Sequence, residues 1–309
     1  MTVPTTDWIV DNVLWTKARP RLSVLIPFLG DDPAQLAREL AAQSAEIEIV
    51  LLDDGGKDGD LAARIAETVQ ALPCPARFIR LAANVGRARG RNRLAAEARG
   101  QHLLFLDADM LPDSETFVAD WLAVAHRDAA VAFGGFSFQR TPLDRRFALH
   151  RAMALRSDCL PAEQRALSPE KHVFTSNLLV HRDVFRAVAF DERFTGWGWE
   201  DVEWAMRVAE RWPILHPHIP ASHLGLDSAE TLVRKYRQSA ANFARVIEVH
   251  PQVVSGYASF KVARLIRRLP LRGLLREGAR MAALTGALPA RARAFAMRLY
   301  RAALYAEVV

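Results

Sequence analysis

Four short apolar runs in the first 110 residues, separated by segments of helical periodicity, constrain this chain more than any other feature. The runs are LSVLIPF (22–28), IEIVLLD (47–53), ARFIRL (76–81) and HLLFLDAD (102–109). Between them stand DDPAQLARELAAQS, LAARIAETVQAL and GRARGRNRLAAEA, whose apolar residues recur at helical spacing. Asp31 or Asp32 caps the first of these helices with Pro33 in its first turn, and DGGKDGD (54–60) is a turn-rich loop. Buried strands alternating with helices define βαβ units. The fold class is therefore α/β, with a mostly parallel central sheet flanked by helices and right-handed crossovers.

Beyond residue 110 the pattern loosens. AAVAFGGFSFQR (129–140) reads as one further strand, and residues 141–172 fit no regular element. HVFTSNLLVHRDVF (172–185) reads as a strand entering a short helix, and EDVEWAMRVAER (200–211) as a helix stopped by Trp212-Pro213. From Ser228 the chain is helical almost throughout, broken near Pro251, Pro270 and Pro289. The length of 309 residues supports one large domain or two modest ones. A composition of 50% hydrophobic and 25% charged residues excludes wholesale disorder. Charge is unevenly spread: residues 261–309 carry eleven Lys or Arg against two acids, a net of +9, which leaves −3 for residues 1–260. Cys74 and Cys159 form no CxxC pair, which fits a reduced, cytoplasmic setting with both thiols as small buried hydrophobes. MTVPTTDWIVDNVLW has neither the basic start nor the long apolar stretch of a signal peptide, and no run is long enough to span a bilayer.

In an open α/β sheet, ligands bind beyond the carboxyl ends of the strands. That rule ranks four loops: Pro27-Phe28, Asp53-Asp54-Gly55-Gly56, Asn84-Val85-Gly86-Arg87 and Asp107-Ala108-Asp109. Asp107 and Asp109 flank a small residue directly after an apolar strand, so both can turn towards one hard divalent cation. The bland alternative is a strand-end turn. Asp53 or Asp54 can accept the imide N–H of a base or a ribose hydroxyl, or can make an ordinary Asp-Gly turn. Asn84, Gly86 and the arginines 87, 89 and 91 open a helix, a placement suited to phosphate or to a solvated basic face. FTGWGWEDVEW (194–204) sets two tryptophans and two adjacent acids into five consecutive positions. Indole faces pack on sugars, glycines allow close approach, and a carboxylate within reach can take a proton from an attacking hydroxyl. Alternatively, Glu200 and Asp201 are only favourable acids of a helix's first turn.

Taken in order, LSVLIPF, LLDDGG, NVGRARGRN, FLDAD, GWGWED and a later histidine resemble the glycosyltransferases of the GT-A (Rossmann-like) fold. More narrowly, they resemble family 2 and its galactosyltransferase and N-acetylgalactosaminyltransferase branches, whose Gly-Trp-Gly-x-Glu-Asp segment is matched by residues 196–201. The resemblance covers about residues 20–226. It implies an N-terminal extension (1–19) and a GT-A catalytic domain (20–226). Within that domain a nucleotide-sugar half would span about 20–110 and an acceptor half about 111–226. A basic helical C-terminal extension (227–309) would follow.

The resemblance also implies roles. Pro27 and Phe28 line the uridine pocket, and Asp53 or Asp54 holds uracil. Asn84, Gly86 and Arg91 contact nucleotide or sugar. Asp109 is the principal ligand of Mn2+ or Mg2+, with Asp107 on ribose, sugar or metal. His223 in IPASHLGL completes the metal site, with His216 and His218 as rivals. Asp201 is the general base, Glu200 positions acceptor hydroxyls, and Trp197, Gly198 and Trp199 form the acceptor platform, with Trp197 facing the sugar. The basic residues that often follow Pro-Phe in the galactosyltransferase-like branch are replaced here by Leu29-Gly30. The implied activity is inverting transfer from a UDP-sugar to a saccharide or lipid-linked saccharide. Two other classes compete. A sugar nucleotidyltransferase should show a glycine-rich basic loop after the first strand, which IPFLGDDP does not supply. A non-catalytic scaffold should have lost acids that this chain keeps. The tail FKVARLIRRLPLRGLLREGARM is a basic amphipathic pattern, suited to an anionic membrane surface or to packing on the domain. A peripheral position at the inner face of the membrane follows from the first option. No nucleic-acid-binding motif appears in the tail.

Overall fold

The computed structural model describes residues 6–17 and 19–309; residues 1–5 and 18 of the expected N-terminal extension lie outside the described residues. In chain order the elements are β1 (Trp8–Asp11), β2 (Leu22–Phe28), α1 (Ala34–Gln43), β3 (Ile47–Asp53), α2 (Gly59–Ala71), β4 (Ala76–Arg80), α3 (Arg87–Glu97) and β5 (His102–Leu106). There follow β6 (Met110–Pro112), α4 (Phe117–His126), β7 (Val131–Phe133), β8 (Phe136–Ser137), α5 (Ala148–Ala154), α6 (Ala162–Arg165), β9 (Asn177–His181), α7 (Arg182–Ala187) and α8 (Glu200–Ala209). The chain ends with β10 (Ile214–Leu215), β11 (Ala221–His223), α9 (Ala229–Val249), α10 (Pro251–Ser255), α11 (Ala258–Arg267), α12 (Arg272–Leu284) and α13 (Ala290–Tyr305). Two compact units divide it. One takes the described residues to Pro142 with Leu160–Glu192 and Trp204–Gly225; the other takes Leu143–Cys159, Arg193–Glu203 and Leu226–Val309.

The first unit is built on an eight-stranded sheet in the order β1-β4-β3-β2-β5-β9-β7-β10. β2, β3, β4 and β5 run parallel, whereas β9 runs antiparallel to both β5 and β7 and β1 antiparallel to β4. The apolar runs of the sequence have a direct cause here. Val24, Ile26, Ile49 and Leu51 join a core with residues of α1, α2 and α4. Their neighbours Leu25, Val50 and Leu52 join a second core with residues of α3, α7 and α8. Helices cover both faces, so most strand positions are apolar; the buried polar exceptions are paired, Ser23 with Glu48 at 2.6 Å and Glu48 with Arg99 at 2.8 Å. Asp32 Oδ1 accepts the Ala34 N–H at 2.9 Å, but Pro33 is the N-cap residue and the helix starts at Ala34, one residue later than expected. Trp204 is fully buried and donates its indole N–H to Val188 O at 2.7 Å.

Residues 129–140 differ from the single strand expected of them. They form β7 and β8, which belong to different sheets, because the chain turns at Gly134-Gly135. A Cβ on Gly134 would lie 2.4 Å from Ile219 O, and Gly135 has φ +102°. β8 joins a three-stranded sheet in the order β6-β11-β8. β6, β8, β10 and β11 have two or three residues each, too few for periodicity to reveal. Cys74 is buried, and burial pushes its thiol up to about 12; Cys159, expected to be buried, is only half-buried.

The second unit is helical. Leu149 and Met153 of α5, Leu232, Val233 and Tyr236 of α9, Ala279 and Ala283 of α12, and Met297 and Tyr300 of α13 share one core. Ala279, Ala283, Ala294 and Ala296 are also part of this core. Pro251 opens α10, Pro270 separates α11 from α12, and Pro289 caps the start of α13, so helices break near each proline as expected. Among the described residues, no helix is long and apolar enough to cross a membrane.

Candidate active site

Asp107, Ala108 and Asp109 turn the chain from β5 into β6, and the turn is closed by Met110 N–H donating to Asp107 O at 3.1 Å. β11 lies antiparallel on β6 with His223 opposite Met110, and Leu224 N–H donates to Asp109 O at 2.8 Å. Backbone pairing thus delivers His223 to Asp109: Nε2 stands 3.3 Å from Oδ2, with each side chain 26% exposed. Thr141 Oγ1 fixes the histidine's own carbonyl at 2.8 Å. Burial pushes the Asp109 carboxyl up, but the hydrogen bond and charge of His223, aided by Arg87, outweigh it and hold the group below the usual carboxylate range. Gly225 is part of this arrangement. A Cβ there would fall 1.8 Å from Asp109 Oδ2, so only glycine leaves room for the carboxylate.

Of the three residues expected to hold a metal, two come together. Asp109 and His223 offer an oxygen and an imidazole nitrogen side by side, a donor set that fits a small divalent cation. Asp107 does not join them. Its Oδ1 receives Arg91 Nη2 at 3.0 Å, and Arg91 is only 2% exposed. A guanidinium buried that deeply needs a counter-charge, and Asp107 supplies it. His216 accepts from Arg165 Nε at 3.3 Å and lies against Pro169 O, and burial lowers it to about 4; His218 is exposed.

Among the described residues, the three whose donor atoms lie within 4.8 Å of one another are His102, Asp128 and His181, at the other end of β5. Both rings there are engaged with backbone: His102 Nε2 is 3.2 Å from Ala129 O, and His181 Nδ1 accepts the Asp183 N–H at 3.2 Å.

The two acids after β3 shape loops. Asp53 is 2% exposed; its Oδ1 accepts the Gly56 N–H at 2.8 Å and its Oδ2 faces Arg80 Nε at 3.3 Å. Asp54 spends both oxygens on the next loop: Oδ1 on Val85 N–H at 2.8 Å, Oδ2 on Gly86 N–H at 3.0 Å and on Asn84 Nδ2 at 3.1 Å. Burial raises both carboxyls above their ordinary range, against the pull of these backbone amides. Gly86, at φ +88°, precedes α3. Pro27 is half-buried at the end of β2. The Phe28 ring is buried and stacked on Phe78, with centroids 6.2 Å apart.

The Gly-Trp-Gly-Trp stretch turns through three residues of positive φ: Gly196 at +74°, Gly198 at +90° and Trp199 at +77°. For a tryptophan this left-handed conformation costs about 1–2 kcal/mol and persists only where neighbours impose it. Asn242 Nδ2 donates to Thr195 O at 3.0 Å and to Gly198 O at 2.8 Å. The Trp199 indole lies against Phe243 at 4.8 Å and gives its N–H to Tyr305 Oη at 2.9 Å. Trp199 O then accepts Glu203 N–H at 2.9 Å, the first bond of α8, so this residue sets where the helix starts. Glu200 is buried and Asp201 half-buried in that first turn. Trp197 is half-buried. It meets Tyr236 edge-on at 5.6 Å and has Lys235 Nζ 5.7 Å from its ring centre.

Sequence reasoning missed Gly225, Asn242 and Tyr305. The glycine two residues after His223 in HLGL carried a signal, since close approach between loops favours glycine. Asn242 and Tyr305 sit in helices that read as periodic and carried none.

Residues 23–188 match Glycosyl transferase family 2, and the chain belongs to that family. The match ends before Gly196 and does not reach the Gly-Trp-Gly-x-Glu-Asp segment. Over 66 residues the chain is 42% identical to the uncharacterized glycosyltransferase YfnE of Bacillus subtilis (strain 168). That stretch is 21% of this chain and 16% of the relative's own length. The fold is similar to that of the mannosyltransferase PcManGT from Pyrobaculum calidifontis, solved with GDP-Man and Mn2+: TM-score 0.57, 17% identity, 96% of this chain and 90% of that one. It is also similar to TarS of S. aureus, with TM-score 0.50, 15% identity, 91% of this chain and 54% of that one. At such identities the likeness is one of fold. The fold is the α/β, GT-A-like sheet flanked by helices, with helices at the C-terminus.

Proposed function

We propose that the chain is an inverting, divalent-metal-dependent hexosyltransferase. It would move a sugar from a nucleoside-diphosphate donor, UDP-linked and of galactose or N-acetylgalactosamine type, to a hydroxyl of a saccharide or lipid-linked saccharide in polysaccharide or glycan synthesis. The observation that carries this reading is the Asp109–His223 pair after β5, with Gly225 keeping space for the carboxylate. The similar fold of a mannosyltransferase solved with GDP-Man and Mn2+ supports it.

In this reading Asp109 and His223 hold Mn2+ or Mg2+, which when bound neutralises charge developing on the leaving diphosphate. Arg91 fixes Asp107, leaving its second oxygen for a ribose or sugar hydroxyl. The loops shaped by Asp53 and Asp54, with Pro27, Asn84 and Gly86, receive the nucleotide, and Phe28 supports them from the core. Trp197 offers the ring face to the acceptor sugar. Trp199, whose N–H is already given to Tyr305, serves the platform from within, as does Gly198. Glu200 orients acceptor hydroxyls and Asp201 takes the proton as oxygen attacks the anomeric carbon.

A donor screen tests the whole reading. UDP-galactose, UDP-N-acetylgalactosamine, UDP-N-acetylglucosamine and GDP-mannose are incubated with protein and Mn2+, and nucleotide release by slow hydrolysis is measured. Manganese-dependent release from one donor is expected; no release and no calorimetric binding with any donor would overturn it.

The tail favours a peripheral site at an anionic, cytoplasmic membrane face. Leu265, Leu271 and Leu274 are 64%, 66% and 69% exposed among the arginines of α11 and α12. Replacing Arg264, Arg267 and Arg268 together by Glu should abolish flotation with phosphatidylglycerol vesicles. Unchanged flotation would remove the membrane from the proposal.

A further inference from the structure

We propose that Tyr305, in the last turn of α13, is a positioning residue for the acidic pair Glu200–Asp201, acting through Trp199. The inference rests on the reading of Asp201 as the base, but the contacts that carry it do not. Trp199 holds φ +77°, a conformation that a bulky side chain adopts only when its surroundings fix it. Tyr305 supplies that fixing in two ways. Its hydroxyl accepts the Trp199 indole N–H at 2.9 Å and lies 3.0 Å from Ser239 Oγ, which anchors it to α9. Its ring stacks on Phe243 at 4.2 Å and 24°, and Phe243 in turn lies 4.8 Å from the Trp199 ring. Tyr305 is 3% and Ser239 1% exposed, so these hydroxyls are withdrawn from water and each needs its partner.

The consequence runs along the backbone. Trp199 O accepts the first hydrogen bond of α8 from Glu203 N–H, so the Trp199 torsions set the start of the helix. Glu200 and Asp201 are the next two residues, and their side chains leave the helix in directions fixed by where it begins. Glu203 is tied separately, to His250 Nε2 at 3.2 Å. Asn242 holds the backbone before Trp199, at Thr195 O and Gly198 O, and Tyr305 holds the Trp199 side chain. The C-terminal helix is therefore a structural part of the acidic site's geometry.

Tyr305→Phe tests this, since it keeps the stack and removes only the hydroxyl. Hydrogen exchange of residues 195–203 should rise in the variant while the strands of the sheet keep their protection. Turnover in the donor-hydrolysis assay should fall about fivefold, the size of one lost hydrogen bond, with the donor KM unchanged. In a Trp199→Gly background, where φ +77° costs nothing and the indole is gone, adding Tyr305→Phe should have no further effect on turnover or exchange. Unchanged exchange in 195–203, or additive effects of the two substitutions, would overturn the proposal. Raised exchange in 195–203 together with normal turnover in Asp201→Asn would instead remove Asp201 as base and leave Tyr305 as the residue that positions the loop.

Discussion

Asp109 and Asp201 are both carboxylates at the edge of a regular element, but they are held by different means. Asp109 is placed by backbone: β6 pairs with β11 in a register that sets His223 opposite Met110, and the ladder ends on Leu224 N–H to Asp109 O at 2.8 Å. Asp201 is placed by side chains from helices distant in sequence, with Asn242 clamping two carbonyls of the preceding turn and Tyr305 holding Trp199. A ladder shares its geometry among many amides, so few single substitutions disturb it. A clamp depends on single groups, so one deletion far along the chain reaches the site.

The largest effects should separate the two acids by function. Asp201→Asn should lower turnover by about 10²–10⁴-fold and leave Mn2+-dependent nucleotide binding intact. Asp109→Ala should abolish that binding. UDP release and calorimetry with UDP, with and without Mn2+, read the two apart. Equal effects of both variants on binding would break the contrast.

Gly225→Ala comes next and attacks the ladder side at its one sensitive point. The added Cβ, 1.8 Å from Asp109 Oδ2, must displace the carboxylate. Mn2+ affinity should fall about 10–100-fold, as it does when groups that orient a metal ligand are lost. Thermal unfolding should shift little, because the β6–β11 backbone pairing does not depend on this side chain. Unchanged affinity would show that Asp109 does not need its present position.

Asn242→Ala should have the smallest effect. It attacks the clamp and removes two hydrogen bonds to the 195–198 turn, at about 2 kcal/mol of unfolding free energy in total. Denaturant unfolding measures it. A loss under about 0.5 kcal/mol would mean that Phe243 and Tyr305 hold the turn without it.

Much of the first unit was legible in the sequence. LSVLIPF and IEIVLLD became β2 and β3 at the residues expected, because strands covered on both faces are apolar at most positions. GRARGRNRLAAEA became α3. Of the three histidines weighed, His223 is the one the strand ladder sets beside Asp109. The short strands of the second sheet escaped because two or three residues carry no period. Gly134-Gly135, visible in AAVAFGGFSFQR, was the turn that splits β7 from β8, and its meaning lay in Ile219 O, a backbone atom 85 residues away.

By itself the sequence determined the alternation of strands and helices, the four loops at the strand ends and the acids available in them, since periodicity and turn chemistry are local. Tertiary structure decided which acids are committed and which meet. It gave Asp107 to a buried Arg91 and Asp54 to the amides of residues 85 and 86, and it set His223 beside Asp109 across a strand ladder. It also placed Tyr305 on Trp199, 106 residues away in sequence. No local pattern encodes such pairings, because they follow from where the packed cores bring distant elements together.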